Sequence, residues 1–130
     1  MFCIAQFVAM GIQAMADEVA RGASNGKHDL ELRRGVLVLA VLSQLRTAQY
    51  GYSLRQALAS EGMTIEEGTL YPLLRRLESQ GLLASEWRIE EGPPRRYYTL
   101  SLEGVRHYQN LSSSWSELVE TMNRLISTKK

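Results

Sequence analysis

Two pairs of adjacent arginines are the side chains in this sequence whose type and spacing indicate a specific chemistry. Arg75 and Arg76 lie in the segment GTLYPLLRRLE (68–78), and Arg95 and Arg96 follow two prolines in GPPRRYYTL (92–100). A guanidinium is a planar fork of N–H donors that matches phosphate oxygens and the O6 and N7 atoms of guanine. These residues therefore indicate binding to a nucleic acid rather than the making or breaking of covalent bonds.

No group of residues indicates catalysis. An enzyme needs a nucleophile beside a base, paired carboxylates in a cleft, or a metal cluster. The chain has one cysteine, Cys3, and two distant histidines, His28 and His107, and it lacks a glycine-rich phosphate loop. Glu103 lies one helical turn from His107 and is explained as its surface partner. We expect no enzyme activity, no bound metal and no cofactor.

The composition is that of one globular domain with little net charge. Hydrophobic residues make up 45% and charged residues 22% of the 130 residues, which argues against a disordered chain. Because the net charge is only +1, a nucleic-acid binder of this composition must gather its positive charge on one face. The single cysteine excludes an internal disulfide and fits a reducing, cytoplasmic location.

Residues 1–29 are predicted to be an N-terminal extension, either flexible or derived from a mis-assigned start. Residues 1–16, MFCIAQFVAMGIQAMA, are apolar but lack a basic leader and are short for a membrane span, so no membrane partner is expected. Two interpretations stay open: a native start at Met15, or a real surface helix. A polar linker with glycines follows over 21–27.

Two helices are predicted before the first arginine pair. Residues 30–45 are apolar nearly all round, which is typical of a central helix covered on several sides. A short second helix is predicted to begin with Ser53 as its N-cap and to stop at Gly62.

The third helix is predicted to have one apolar and one polar face. It starts with Thr69 as N-cap, which leaves Pro72 in the first turn, or earlier at Thr64. At 3.6 residues per turn, one side carries Leu70, Leu73, Leu74 and Leu77. Burial of each leucine is worth roughly 1.5–3 kcal/mol, so this side must face inward. The outward side then presents Thr69, Tyr71, Pro72, Arg75, Arg76 and Ser79.

A β-hairpin is predicted after the third helix, because polar and apolar residues alternate on both sides of Glu91-Gly92-Pro93-Pro94. The prolines stiffen the tip, which is expected to hold Arg95 and Arg96. The fold class is therefore mainly α with a small β-hairpin (α+β), a winged helix-turn-helix over residues 30–101. Its third helix would enter the major groove of double-stranded DNA, with Thr69 and Tyr71 donating to phosphates.

Residues 102–130 are predicted to form a long C-terminal dimerisation helix capped by Ser101. Its apolar residues recur at alternating spacings of three and four, the period of a coiled-coil seam: Tyr108, Leu111, Trp115, Leu118, Met122 and Leu125. Val105, Val119 and Ile126 widen this stripe. The sequence thus predicts a homodimer.

Three motifs occur together in the chain: Tyr50-Gly51-Tyr52, the segment 68–78 followed by Gly81-Leu82, and the segment 92–100 followed by Gly104. With them, residues 30–126 resemble the PadR family of bacterial transcriptional regulators. The resemblance implies a dimeric transcription factor, usually a repressor, that leaves a palindromic operator when an effector binds.

The single helix after the hairpin is similar to that of the short PadR subgroup, in which this helix supplies most of the dimer contact. In multidrug-sensing members of that subgroup a tryptophan on this helix stacks on flat aromatic ligands, and Trp115 is similar in position. The resemblance implies a small aromatic or phenolic effector beside Trp115 and extends to no other residue of that site. Leu118, Val119 and Met122 follow on the same helix and are the candidate neighbours.

Structural roles for the same residues stay open at this point. The four arginines are also explained by a solvated surface with salt bridges to Glu78 or Glu91, Tyr71 by packing on the second helix, and Trp115 by a place in the dimer core. Two other functions stay open as well: a winged-helix protein-interaction module that never meets DNA, and a multidrug-sensing regulator of another winged-helix family.

Overall fold

The computed structural model describes residues 26–127, which contain four helices and three short strands. In chain order the elements are α1 (Gly26–Gln44), β1 (Gln49–Tyr50), α2 (Gly51–Ser60), α3 (Glu67–Ser79), β2 (Leu83–Arg88), β3 (Arg95–Leu100) and α4 (Leu102–Ser127). The predicted mixed α+β class is confirmed. The interpretations of residues 1–25, including the start at Met15, lie outside the described residues.

Residues 38–116 form one compact unit that contains the hydrophobic core. The core is built mainly of leucines, which the helices and the sheet contribute together: Val41, Leu42, Leu45, Leu54, Leu58, Ile65, Leu70, Leu73, Leu74, Leu77, Leu83 and Tyr98. Helix α2, a short connection and helix α3 form the helix-turn-helix, and the β2–β3 hairpin is the wing. The winged helix-turn-helix predicted from the sequence is therefore present.

The sheet has the order β1-β3-β2 and is antiparallel throughout. Tyr50 of β1 pairs with Tyr97 of β3, and β2 pairs with β3 from Leu83 opposite Leu100 to Arg88 opposite Arg95. Strand β1 was not predicted, because two residues are too short to show the alternation that identifies a strand. It places the Tyr50-Gly51-Tyr52 motif beside the wing.

The predicted starts of α2 and α3 were wrong by a few residues. Helix α2 begins at Gly51, and the Ser53 hydroxyl lies inside its first turn, where it donates to the Tyr50 carbonyl at 3.0 Å. Helix α3 begins at Glu67, between the two predicted starts, and the extended Glu66 precedes it without a side-chain cap. Pro72 therefore lies beyond the first turn and removes one internal hydrogen bond.

Helix α1 begins at Gly26 rather than at residue 30, so the end of the predicted linker is helical. Arg33 and Asp29 are one helical turn apart and form an ion pair with 2.9 Å between Nε and Oδ2. This pair stabilises the added turn. Residues 26–37 and 117–127 are the described parts of the second compact unit. Leu30 and Leu32 are exposed there.

The connection from the wing to α4 is held by the backbone and by a helix cap. The Ser101 hydroxyl accepts the Gly104 N–H at 3.0 Å, which confirms the predicted N-cap. The Ser101 N–H donates to the Leu82 carbonyl at 3.0 Å, and the buried Gly104 lies directly against the same carbonyl. No helix within residues 26–127 is long and apolar enough to cross a membrane.

Candidate nucleic-acid interface

Helix α3 has the two faces that its sequence predicts. Leu70, Leu73, Leu74 and Leu77 are buried. The residues on the opposite face are exposed: Thr69, Pro72, Arg75, Arg76 and Ser79. Because four leucines anchor one side, the other side is presented on a support that cannot rotate without exposing them.

The guanidiniums of Arg75 and Arg76 are not engaged by the part of the chain that the structure describes. Neither forms an ion pair or a side-chain hydrogen bond with residues 26–127. The Ser79 hydroxyl donates to the Arg76 carbonyl oxygen at 2.8 Å, and α3 ends at Ser79. The salt-bridge alternative thus does not account for Arg75 or Arg76.

Tyr71 is half-buried and differs from the other residues of the outward face. A Cβ atom at Gly51 would overlap its ring atoms Cε1, Cζ and Oη. The ring therefore lies on the first residue of α2, which is the packing alternative that the sequence left open. A phosphate contact from Tyr71 stays a prediction.

The Gly51–Tyr71 contact yields a prediction about stability. Gly51→Ala should lower the free energy of unfolding by about 1–3 kcal/mol because the methyl group displaces the ring. Without a clash, alanine in place of glycine stabilises a helix by about 1 kcal/mol. A lower free energy of unfolding in Gly51→Ala would therefore indicate the clash. Urea unfolding of both single variants and of the double variant with Tyr71→Ala measures the coupling. An equal cost of Gly51→Ala in both backgrounds would refute the contact.

The wing arginines lie on strand β3 and not at the hairpin tip, which is formed by residues 89–94. The alternation of residues 95–100 also predicted both arginines at the start of the returning strand. Adjacent strand residues point to opposite faces of a sheet, so Arg95 and Arg96 have different surroundings. The Arg95 guanidinium lies 4.6 Å from the ring centroid of Tyr50 and has no ion pair with the described residues.

Arg96 is bound within the domain. Its Nη2 atom lies 3.1 Å from Glu78 Oε1, and its Nε atom donates to the Ser85 hydroxyl at 3.0 Å. For Arg96 the salt bridge to Glu78, an alternative that the sequence left open, is present. The predicted contact of Arg96 with DNA stays a prediction, and the salt bridge is a competing role for this side chain.

A row of tyrosines and arginines covers the face of the sheet that carries Arg95. Tyr97 meets Tyr50 edge to face at 5.3 Å between centroids, and the Arg88 guanidinium lies 4.4 Å from the Tyr97 ring centroid. Desolvation, and then the hydrogen bond to Glu90, raise the pKa of Tyr97. The aromatic residues of the motifs were the signal for this row. The contact of Tyr97 with Tyr50 depends on β1, which the sequence did not predict, and the contact with Arg88 depends on the pairing of β2 with β3.

Helix α4 carries the predicted dimerisation and effector residues. Tyr108, Leu111 and Val119 are half-buried, and the Arg46 guanidinium lies 5.7 Å from the Tyr108 ring centroid. The other members keep large exposed fractions: Trp115 44%, Leu118 52%, Met122 42% and Leu125 65%. Their contacts with a second chain or a ligand stay predictions. Within residues 26–127, no three His, Cys, Asp or Glu side chains are grouped to hold a metal ion.

Comparison with known proteins agrees with this geometry. Residues 38–110 match the model of the transcriptional regulator PadR-like family. A transcriptional regulator of Mycobacterium tuberculosis is 39% identical over 75 residues, which are 57% of this chain and 70% of that protein. The family match spans the helix-turn-helix and the wing.

Two crystal structures of regulators are similar to this chain over most of their length. A PadR family transcriptional regulator from Eggerthella lenta has 47% identity and a TM-score of 0.76, and the match covers 90% of this chain and 99% of that one. A PadR-like regulator from Bacillus cereus has 28% identity and a TM-score of 0.70, covering 76% and 99%. The chain belongs to the PadR-like family of transcriptional regulators.

Proposed function

We propose that this protein is a sequence-specific DNA-binding repressor that acts as a homodimer on a palindromic operator. The observation that carries the proposal is the outward face of α3, where Arg75 and Arg76 are exposed and unpaired within residues 26–127. Free guanidiniums on a rigid helix suit the major groove. A regulator of chromosomal DNA would work in the cytoplasm.

In the proposed complex, α3 enters the major groove with its outer face toward the bases. Arg75 and Arg76 bind guanine O6 and N7 or nearby phosphates, and Thr69 donates to a phosphate near the helix N-terminus. Pro72 and Ser79 lie on the same exposed face and complete the contact surface. Arg95 of the wing reaches the neighbouring phosphates, because its charge has no acidic partner among the described residues.

The dimer is supported by the exposed apolar residues of α4. Trp115, Leu118, Met122 and Leu125 are large hydrophobic side chains left in solvent by a single chain. The α4 helix of a second chain would bury them together with Tyr108 and Leu111, which belong to the same series of residues spaced three and four apart. Two recognition helices would then bind half-sites roughly one helical turn apart, so that weak contacts of each subunit add up.

Release by a small aromatic or phenolic effector is proposed from the position of Trp115. Its exposed indole offers a stacking surface, and Leu118, Val119 and Met122 follow on α4. An effector that binds the free dimer more tightly than the DNA-bound dimer would shift the equilibrium toward release of the operator.

The effector proposal predicts a difference between the two tryptophans. Trp115→Ala should lower the affinity for acridine, a planar aromatic probe, by roughly tenfold or more, because stacking of an aromatic ligand is lost. Trp87→Ala removes the exposed indole of the wing and is the control. Dye anisotropy measures both. Equal affinities of the two variants would exclude Trp115 as the stacking platform.

The alternatives are weaker. Because the chain belongs to the PadR-like family, the alternative of a multidrug-sensing regulator from another winged-helix family is excluded. A protein-interaction module would need no unpaired arginines on α3, and no other feature of the described residues favours it.

Selection of bound fragments from the native genome, followed by footprinting, tests the function as a whole. We expect enrichment of one palindromic sequence, protected over two half-sites. Absence of any enriched sequence would refute sequence-specific binding. The genes beside the enriched sites would also identify what is regulated.

A further inference from the structure

A three-residue polar network joins the C-terminal end of α3 to the inner face of the wing. The Ser85 hydroxyl donates to Glu78 Oε2 at 2.6 Å. Arg96 donates from Nε to the Ser85 hydroxyl at 3.0 Å and from Nη2 to Glu78 Oε1 at 3.1 Å and Oε2 at 3.4 Å. All three members thus contact each other, and the guanidinium meets the carboxylate through a direct ion pair.

Aromatic rings flank the arginine of this network. The guanidinium carbon of Arg96 lies 5.8 Å from the ring centroid of Trp87 and 5.7 Å from the ring centroid of the buried Tyr98. The side chains of Arg96 and Glu78 keep 40% and 29% of their surface in solvent, so the pair is partly shielded. A guanidinium held by a carboxylate, a hydroxyl and two rings has few other orientations.

We propose that Arg96 is a positioning residue that fixes the wing to the recognition helix, while Arg95 supplies the wing's contact with phosphate. The inference rests on the proposed DNA-binding function. Glu78 belongs to the same helix as Arg75 and Arg76, and Arg96 is adjacent to Arg95 on β3. The network therefore ties the two DNA-contacting elements at a fixed separation.

The fixed separation matters because α3 and the wing must bind the duplex at the same time. A wing that moves freely loses conformational entropy on binding, whereas a wing held by Glu78 and Arg96 has lost it already. In addition, the Glu78 carboxylate neutralises the charge of Arg96, so this arginine adds little to the attraction of phosphates.

Removal of the acidic partner distinguishes a positioning role from a direct contact. If Arg96 bound phosphate, Glu78→Gln would free its charge and strengthen binding to DNA. If Arg96 positions the wing, Glu78→Gln should weaken binding to the genomically selected operator by roughly five- to tenfold. Glu91→Gln, in the loop at the wing tip, removes the same charge outside the network and should leave the affinity unchanged or raise it.

Salt dependence and a charge exchange give two independent readouts. Arg95→Gln should reduce the slope of log K against log salt by about one per subunit, whereas Arg96→Gln should lower affinity with the slope unchanged. Glu78→Arg combined with Arg96→Glu rebuilds the pair in reverse and should restore much of the affinity lost in Arg96→Glu. Glu78→Arg alone adds the same charge to α3 without a partner, so recovery beyond the effect of that single change reports the rebuilt pair.

The outcomes separate the two proposals. Failure of the wild-type protein to bind any operator would refute the DNA-binding function itself. Normal wild-type binding with stronger binding by Glu78→Gln, or an Arg96→Gln slope reduced as much as that of Arg95→Gln, would refute the positioning role alone. Circular dichroism of each variant shows that the comparison is between folded proteins.

Discussion

The double variant Arg75→Gln, Arg76→Gln is expected to lose specific operator binding while the protein stays folded and dimeric. Each bidentate contact between arginine and guanine is worth about 1–3 kcal/mol, so loss of one such contact from each of two subunits should weaken binding by roughly 30-fold or more. Folding should be unaffected because both side chains are exposed and form no ion pair within residues 26–127. Electrophoretic mobility shift with the selected operator measures the loss.

A matched control is available on another helix. Arg33 and Arg34 are also adjacent and exposed, but they lie on α1. Their replacement by glutamine removes the same charge from the protein, so the general attraction to DNA falls equally. An equal loss of operator binding in both double variants would show that net charge, and not the α3 face, is responsible. Unchanged binding in the α3 variant would contradict the assigned face outright.

Gly104→Ala is expected to be the most destabilising single methyl addition in residues 26–127. The added Cβ would overlap the backbone carbonyl oxygen of Leu82, which already accepts the Ser101 N–H at 3.0 Å. A backbone atom held by a hydrogen bond cannot move aside as a side chain can, so α4 itself must shift. We expect a loss of about 3 kcal/mol in the free energy of unfolding, the upper range for overpacking.

Gly68→Ala provides the control for this stability measurement. Gly68 also lies in the first turn of a helix, but a Cβ there meets nothing within 4 Å. Its replacement should leave the free energy of unfolding unchanged or raise it by up to about 1 kcal/mol. Urea unfolding at one fixed protein concentration compares the variants, because a dimer gains stability with concentration. Equal stability of Gly104→Ala and wild type would refute the close approach of α4 to Leu82.

The faces of α3 were predictable because they depend only on local periodicity. Leucines at 70, 73, 74 and 77 decide the buried side whatever surrounds the helix, and the exposed arginines follow. The Ser101 cap and the stop at Gly62 were predictable for the same reason. Gly62 has φ +99°, a conformation that glycine adopts without strain.

The remaining features depend on contacts between distant parts of the chain. The ion pair of Arg96 with Glu78 spans eighteen positions. The sequence left it open beside a pair with Glu91, and only the placement of the paired strands β2 and β3 against α3 decides between them. Tyr71 lies on the outward side of the helical wheel, but its ring packs against Gly51, where the absence of a side chain leaves room for it. Alternation along β3 predicts opposite faces for Arg95 and Arg96, but which of the two faces meets α3 follows only from the packing of the sheet.

Methylation interference on the selected operator tests the central claim most directly. Dimethyl sulfate modifies guanine N7 in the major groove and adenine N3 in the minor groove, so one experiment reports which groove the protein reads. We predict that N7 methylation of guanines in two half-sites, centred roughly ten base pairs apart, blocks binding, and that the double variant Arg75→Gln, Arg76→Gln loses this pattern. Interference confined to adenine N3, or none at any guanine, would contradict the insertion of α3 into the major groove.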